Sequence, residues 1–207
     1  MDAKFWDERY KTDEYAYGEM PNGYLVEKLS GLTPGKILFP ADGEGRNGVY
    51  AATLGWDVYS FDQSAEGKRK AELLAAKKGV TIHYDLAEMP AVNYQPGEFD
   101  AMALIYAFFS GDNKAANHKQ LATFLKPGGI VIFEAYSKRH LQYNTVNSKA
   151  GGPRDEAMLF SVEEIKEYFS DFEILELQEQ ELEIWEGNFH GGMSAVIRFM
   201  GRKKTNS

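Results

Sequence analysis

Residues 37–62, ILFPADGEGRNGVYAATLGWDVYSFD, decide the fold prediction. A short apolar run at 37–39 is predicted to be a strand, and Pro40 fits the point where that strand leaves its sheet. The chain then turns through glycines into a segment at 47–54 that is predicted to be helical, and 57–61 alternate as a second strand. The order of strand, glycine turn, helix and strand predicts a βαβ unit.

The glycine turn predicts a ligand site. Gly43, Gly45 and Gly48 have the spacing G-x-G-x-x-G, and Asp62 follows at the end of the second strand. Glycines let the backbone turn sharply and let a ligand approach without meeting a Cβ atom. A carboxylate at the position of Asp62 accepts hydrogen bonds from both ribose hydroxyls. The combination predicts a nucleoside cofactor, and the alternative is a tight turn that binds nothing.

Two acids beside the turn bear on which nucleoside cofactor binds. Asp42 and Glu44 would repel the diphosphate of a dinucleotide, which sits at the N-terminus of the helix. The same carboxylates suit a ligand with an ammonium and a sulfonium group, so they favour S-adenosylmethionine. A NAD-dependent oxidoreductase is the competing hypothesis, and the lack of a substrate domain also opposes it.

The rest of the chain continues the alternation of strands and helices. Further strands are predicted at 80–84, 99–105 and 130–135, and helices at 64–78 and 114–125. This pattern predicts a doubly wound α/β sheet that is mostly parallel. Residues 172–184 and 194–203 look like two long strands in an antiparallel C-terminal hairpin. We expect one domain, 1–207, with an N-terminal lid or helix at 1–30 and substrate-side loops at 136–160 and 184–194.

Composition excludes several classes of function. The chain has 207 residues, 23 basic and 31 acidic side chains, a net charge of −8 and no cysteine. The negative charge argues against nucleic acid or anionic membrane as a partner. The lack of cysteine excludes disulfides, zinc-thiolate sites and a cysteine nucleophile, and we predict no metal site. Because no signal peptide or membrane span is recognisable, we expect a cytoplasmic protein.

The chain resembles class I S-adenosylmethionine-dependent methyltransferases, and within them the small bacterial group related to the tellurite-resistance methyltransferases. The resemblance rests on FWDERY (5–10), YAYGEMPN (15–22), GEGRNGVYAATLGWDV (43–58), FDQS (61–64), LKPGG (125–129), GGP (151–153) and EGNFHGGMSAVI (186–197). It implies a Rossmann-like seven-stranded sheet whose last strand is antiparallel. It also implies S-adenosyl-L-methionine as cofactor and a small-molecule methyl acceptor.

The resemblance assigns roles by position. Gly43 and Gly45 would border the methionine moiety, Asp62 would hold the ribose, and Asp85 with Leu86 would face the adenine. The predicted cofactor-binding residues are Ala41, Asp42, Gly43, Gly45, Arg46, Asp62, Gln63, Asp85, Leu86 and Tyr106.

The chain departs from the family pattern at two places in the glycine turn. It has Phe39 where the family commonly has an acid, and Ala41 where the family has its first glycine. We therefore assign the methionine ammonium to Asp42 or to the loop carbonyls. These departures keep open a second alternative, a catalytically silent cofactor-binding module.

The acceptor side carries few candidate residues. Relatives often have a histidine after the fourth strand, where this chain has Ala107-Phe108, so a soft acceptor that needs no base fits the chain. The substrate-side candidates are His190, His140, Arg139 and Arg154. The arginines, with Lys138, suit an anionic acceptor or simply a solvated loop. Of the remaining histidines, we expect His83 to be structural and His118 to lie on a solvated helix face.

The N-terminal segment is aromatic and charged. Trp6, Tyr10, Tyr15 and Tyr17 suit a lid that covers the cofactor and attracts its sulfonium by cation–π contact. The alternative is an amphipathic segment that packs on the sheet. Asn22 is predicted to cap a helix.

Overall fold

The computed structural model describes residues 1–109 and 111–205. The strands are β1 (Lys36–Pro40), β2 (Asp57–Asp62), β3 (His83–Leu86), β4 (Phe99–Ile105), β5 (Leu125–Tyr136), β6 (Phe172–Glu186) and β7 (His190–Lys203). The α-helices are α1 (Ala3–Tyr10), α2 (Gly23–Leu29), α3 (Arg46–Thr53), α4 (Ala65–Lys78), α5 (Lys114–Thr123), α6 (Leu141–Asn144) and α7 (Val162–Tyr168).

The described strands form one seven-stranded sheet in the order β3-β2-β1-β4-β5-β7-β6. Neighbouring strands from β3 to β5 run parallel, and β7 runs antiparallel to both β5 and β6. The predicted doubly wound, Rossmann-like sheet with an antiparallel C-terminal hairpin is confirmed. The strand order reverses between β1 and β4, although these strands are parallel. Parallel α/β sheets bind ligands at such a point.

Local capping signals set the ends of several helices, including the helix that Asn22 was predicted to cap. The Ser64 side chain accepts from the backbone N–H of Gly67 at the start of α4, and Gly79 ends that helix with φ of 69°. The Asn22 side chain accepts from the backbone of Leu25 at the start of α2. Ser161 and Glu164 form both hydrogen bonds of a capping box before α7. Such side-chain oxygens satisfy backbone N–H groups that have no partner within the helix.

Three strand boundaries differ from the prediction. β3 begins at His83 rather than at residue 80, because the backbone of Val80 donates to Ala75 and completes the cap of α4. The predicted turn at 125–129 lies inside β5, where a register shift accommodates the extra residues between its pairings with Phe99 and Ala101. β7 begins at His190, so the hairpin turn is shorter than predicted.

Apolar side chains pack on both faces of the sheet. Leu38 and Leu104 lie in one core cluster, and Phe39 and Ile105 lie in the other. Phe39 is therefore a core residue in this chain. Among the described residues, none of the helices is both long and apolar enough to cross a membrane.

The prediction for His118 is wrong. This residue is fully buried, with its ring 5.3 Å from the ring of Phe160 and stacked on Tyr168. Burial lowers its pKa to about 4, so the imidazole is neutral at pH 7. Side chains from distant segments cover this face of α5, and the helix's own sequence does not reveal them. His83 lies in β3 as predicted and stacks on Tyr59.

Candidate functional site

A cavity of about 420 Å³ lies at the carboxyl ends of β1, β2 and β4, beneath α1. The residues that line it are Met1, Trp6, Tyr10, Tyr17, Ala41, Asp42, Gly43, Glu44, Arg46, Asn47, Phe61, Asp62, Gln63, Ala87, Glu88, Met89, Pro90, Ile105, Tyr106, Phe108, Phe109, Asn113, Asn117 and His190. Of the predicted cofactor residues, seven lie here: Ala41, Asp42, Gly43, Arg46, Asp62, Gln63 and Tyr106. The structure brings them together from three strands and the turn after β1.

The second glycine predicted to contact the cofactor, Gly45, has a packing role. Gly45 does not line the cavity and has φ of 79° at the start of α3. A Cβ atom added there would lie 2.5 Å from the Cβ of Ala71 in α4, so glycine is needed for the two helices to approach. Gly45 contributes to the site by holding α3 in position.

Two residues without glycine's freedom adopt left-handed backbone conformations in the cavity wall. Ala41 has φ of 53° and Tyr106 has φ of 51°. An L-residue in this conformation costs roughly 1–2 kcal/mol. Ala41 thus keeps the turn that glycine makes in the family pattern, and it carries strain in doing so. Strained residues of this kind cluster at binding sites.

Asp62 links β2 to the glycine turn. Its Oδ2 accepts from the backbone N–H of Gly43 at 3.0 Å, and its Oδ1 accepts from the backbone N–H of Ser64 at 2.9 Å. Burial raises the pKa of Asp62 to about 6 despite these hydrogen bonds. Each carboxylate oxygen keeps a second acceptor position, so the group can still accept from ligand hydroxyls.

Asp42 is a second acid in the cavity wall and is half-buried. Its Oδ2 accepts from the Ser60 hydroxyl at 2.8 Å. Its Oδ1 has no hydrogen-bond partner among the described residues. Burial raises the pKa of Asp42 to about 7. An acid with an unpaired oxygen suits a cationic ligand, because such a ligand would supply the missing partner.

Glu44 has a different role from the one its sequence position indicates. Its carboxylate lies 2.5 Å from the Lys70 ammonium, and it also accepts from the backbone of Ala16 at 2.8 Å. The charge of Glu44 is therefore compensated within the protein. The acidic character that favours a cationic cofactor comes from Asp42 and Asp62.

Asp85 and Leu86 lie outside the cavity lining. The Asp85 carboxylate accepts from the Tyr94 hydroxyl at 2.9 Å, and Leu86 is exposed. The next four residues, Ala87 to Pro90, line the cavity instead. The residues that line the cavity here therefore lie a few positions later in the chain than the predicted adenine contacts.

The N-terminal segment covers the cavity. Trp6, Tyr10 and Tyr17 line it, and the rings of Trp6 and Tyr10 stack 5.6 Å apart. Asp7 fastens α1 to the start of α4 by accepting from the Ser64 hydroxyl at 2.6 Å. Tyr15 lies outside the lining, and its hydroxyl donates to the backbone of Lys70.

His190 lies at the end of the cavity nearest the C-terminal hairpin. Its Nδ1 is 3.1 Å from the Glu186 carboxylate, which also accepts from Arg46 Nη2 at 2.7 Å. Burial lowers the pKa of His190 below its ordinary value, so the ring is neutral at pH 7. Glu186 orients the ring with Nδ1 protonated, which leaves Nε2 as an acceptor.

Tyr106 packs edge-on against His190, with ring centroids 4.9 Å apart. Its hydroxyl donates to buried Glu134 at 3.0 Å, and Asn22 donates to the same carboxylate oxygen at 2.7 Å. Burial raises the pKa of Tyr106 well above its ordinary value, so the phenol keeps its proton. Sequence reasoning missed Glu134 and Glu186, although Glu186 begins the EGNFH segment that carried the resemblance.

The other substrate-side candidates do not line this cavity. His140 is fully buried, stacks on Tyr136, and has a pKa lowered to about 4 by burial. Arg139 is exposed and pairs with Glu181. Lys138 pairs with Glu164. Arg154 lines a separate small cavity of about 150 Å³.

Sequence comparison finds relatives that match most of the chain. A protein of Haemophilus influenzae named "Probable S-adenosyl-L-methionine-dependent methyltransferase TehB" is 24% identical over 186 residues, covering 88% of this chain and 62% of that protein. The chain thus spans less than two thirds of the relative's length.

Solved structures share the fold. TehB from Haemophilus influenzae has a TM-score of 0.72 and 22% identity, covering 98% of this chain and 67% of that chain. A structure described under "Conversion of a Disulfide Bond into a Thioacetal Group during Echinomycin Biosynthesis" has a TM-score of 0.77 and 18% identity, covering 99% and 93% of the two chains. The sequence model of the family "Tellurite resistance protein TehB" matches residues 3–200. Because the match covers nearly the whole chain, the protein belongs to the TehB family.

Proposed function

We propose that the protein transfers the methyl group of S-adenosylmethionine to a small-molecule acceptor. The observation that carries the proposal is a pair of acids, half-buried Asp42 and buried Asp62, in a cavity at the switch point of the sheet. Asp42 has an unpaired oxygen for the methionine ammonium. Asp62 has spare acceptor capacity for the ribose hydroxyls. The name of the Haemophilus influenzae relative supports the same cofactor.

In this proposal the cavity residues act mainly by positioning. Bound S-adenosylmethionine would supply a methyl group that its positive sulfur already activates. Asp62 and the turn after β1 would fix the ribose and methionine, and Ala87 to Pro90 would fix the adenine. The Tyr17, Tyr106 and His190 rings would then shape the space in front of the methyl group. Alignment of this kind can supply roughly 7–11 kcal/mol of the barrier reduction.

His190 gives the site one group able to accept a proton. Its Nε2 is the acceptor atom if Nδ1–H donates to Glu186. An acceptor that ionises by itself, such as a thiolate, needs no such help, whereas a protonated nucleophile does. Tyr106 cannot serve as a base because its phenol keeps its proton. His190 therefore replaces the histidine that the sequence lacks after β4.

The alternatives make different binding predictions. A NAD-dependent oxidoreductase would place a diphosphate at the N-terminus of α3 beside Asp42, which would repel it. A catalytically silent module would bind the cofactor without transferring its methyl group. The cavity is lined by two residues with strained backbones, Ala41 and Tyr106, and by acidic side chains. These features favour a site that binds a cation.

Calorimetric titration with S-adenosylhomocysteine and with NAD tests the cofactor. We expect saturable binding of S-adenosylhomocysteine and none of NAD, and binding of NAD alone contradicts the proposal. Transfer of labelled methyl groups to thiols, amines, carboxylates and metalloid anions tests the reaction. Cofactor binding without turnover on any of them would support the silent module.

A further inference from the structure

Two arginines without an acidic partner lie at one small cavity. The chain has seven arginines, and five of them form ion pairs with glutamates: Arg46, Arg69, Arg139, Arg198 and Arg202. Within residues 1–109 and 111–205, Arg9 and Arg154 form no ion pair. Acidic residues outnumber basic ones by 31 to 23, so partners are plentiful in this chain. Both unpaired arginines line the same cavity of about 150 Å³.

Neighbouring side chains hold one of these guanidinium groups in place. Arg9 Nη1 donates to the Tyr17 hydroxyl at 3.1 Å, and Arg9 Cζ lies 3.9 Å from the centroid of the Phe189 ring. The Arg154 side chain makes no hydrogen bond within the described part of the chain. Two arginines that share a small cavity repel each other unless an anion lies between them, because each carries a full positive charge.

This cavity adjoins the acceptor end of the proposed methyl-transfer site. Tyr17 lines both cavities, and its ring lies 4.5 Å from the ring of His190. Gly151, in the wall of the small cavity, backs onto His190, where an added Cβ atom would lie 2.9 Å from the imidazole. The Tyr17 side chain therefore lies between a molecule bound by the two arginines and the space in front of the methyl group.

We propose that Arg9 and Arg154 bind an anionic group of the methyl acceptor, a carboxylate or a phosphate. This inference rests on the proposed function and names the class of its acceptor. Guanidinium groups match both anions through paired hydrogen bonds. The nucleophile at the other end of the acceptor forms a bond to the methyl carbon while the sulfur keeps the electrons of the broken bond. The anchored group is unchanged by the transfer.

Side-chain NMR tests the anion site directly. The Nε–Hε signals of ¹⁵N-labelled protein are followed during titration with sodium phosphate, sodium acetate or, as control, sodium chloride at equal ionic strength. The Nε–Hε signals of Arg9, Arg154 and Arg202 are assigned by their loss in Arg9→Gln, Arg154→Gln and Arg202→Gln. We expect saturable shifts in the signals of Arg9 and Arg154, but not in the signal of Arg202. The anion that saturates at lower concentration identifies the anchored group. Shifts that are absent, equal in chloride or spread over all arginines overturn the proposal.

A matched pair of acceptors links this site to turnover. We expect 3-mercaptopropanoate to have a KM about tenfold or more below that of its neutral amide, because hydrogen bonds to a charged group contribute about 1.5–3 kcal/mol. Arg154→Gln should abolish the difference with little change in kcat, and Arg202→Gln should keep it. Equal KM values for both thiols overturn the proposal.

The two proposals can fail separately. Lack of S-adenosylhomocysteine binding contradicts the methyltransferase proposal, and the NMR titration on cofactor-free protein still decides the anion site. Normal cofactor binding in Arg9→Gln and Arg154→Gln shows that these variants remain folded.

Discussion

Glu44 and Lys70 form a buried ion pair, with their charged atoms 2.5 Å apart and their side chains 4% and 3% exposed. Lys70 also donates to the backbone carbonyls of Thr12 and Glu14 at 2.9 and 2.6 Å. Glu44 accepts from the backbone of Ala16. The pair therefore joins the glycine turn and α4 to the segment that leads from α1 into the cavity wall.

Lys70→Met should destabilise the protein by about 3–5 kcal/mol, because it leaves the Glu44 charge buried without a partner. Hydrogen exchange should increase most in residues 12–17. Urea denaturation measures the first effect, and mass spectrometry measures the second. Lys77→Met is the matched control, since its pair with Glu19 is exposed and should contribute less than about 1 kcal/mol. Equal losses in both variants would mean that the buried pair has no special role.

Ala41→Gly should stabilise the protein by about 1 kcal/mol, because glycine adopts the left-handed conformation without strain. Ala76→Gly, on the exposed side of α4, should destabilise it by a similar amount through lost helix propensity. Urea denaturation of both variants measures the difference. Destabilisation in both would show that Ala41 is not strained.

The two acids in the cavity wall should make cofactor affinity depend on pH. Burial raises the pKa of Asp42 to about 7 and that of Asp62 to about 6, so both hold protons in the empty site well above pH 4. The stability that these two groups contribute to the empty protein is present below pH 4 and is lost as pH rises to about 7. An ammonium bound at Asp42 and ribose hydroxyls that donate to Asp62 favour the ionised acids, so binding releases protons.

We therefore expect S-adenosylhomocysteine affinity to rise from pH 5 to 8. Calorimetry in two buffers of different ionisation enthalpy measures the released protons. Asp42→Asn should weaken the pH dependence and release fewer protons. A flat affinity profile in the unsubstituted protein would contradict this account of the site.

His190→Gln should show whether His190 accepts a proton from the methyl acceptor or only supports the structure of the site. With a thiol acceptor below its pKa, we expect kcat/KM to fall by about 10²–10⁴, because the remaining amide cannot accept the proton. Above the thiol pKa, the variant should approach the parent rate, since the thiolate needs no base. A pH–rate profile gives both values. An equal loss at every pH would assign His190 a purely structural role.

The sequence predicts best those features whose causes lie close together in the chain. Ser64 and Gly79 set the ends of α4, and the glycine turn sets the place of the cavity. The doubly wound, mostly parallel sheet with its antiparallel C-terminal hairpin followed from the alternation of elements and from the family resemblance. The shift of β3 arose because the cap of α4 continues through Val80, which periodicity alone does not indicate.

Burial by distant segments was beyond sequence reasoning. His118 looks like one residue of a polar helix, yet Phe160 and Tyr168 cover it from another part of the chain. Glu134 and Glu186 look like ordinary strand residues, yet they meet Asn22 and Arg46 beside the cavity. No feature of the local sequence indicates that Lys70 compensates the charge of Glu44 or that Leu86 is exposed.

Calorimetric titration of S-adenosylhomocysteine into the protein and into Asp62→Ala tests the central claim most directly. The substitution removes charge-assisted hydrogen bonds to the ribose, so we predict that binding weakens by about 1–3 kcal/mol. Glu72→Ala, on the exposed side of α4, should leave the affinity unchanged. Unchanged affinity in a folded Asp62→Ala protein would contradict the assigned role of this carboxylate.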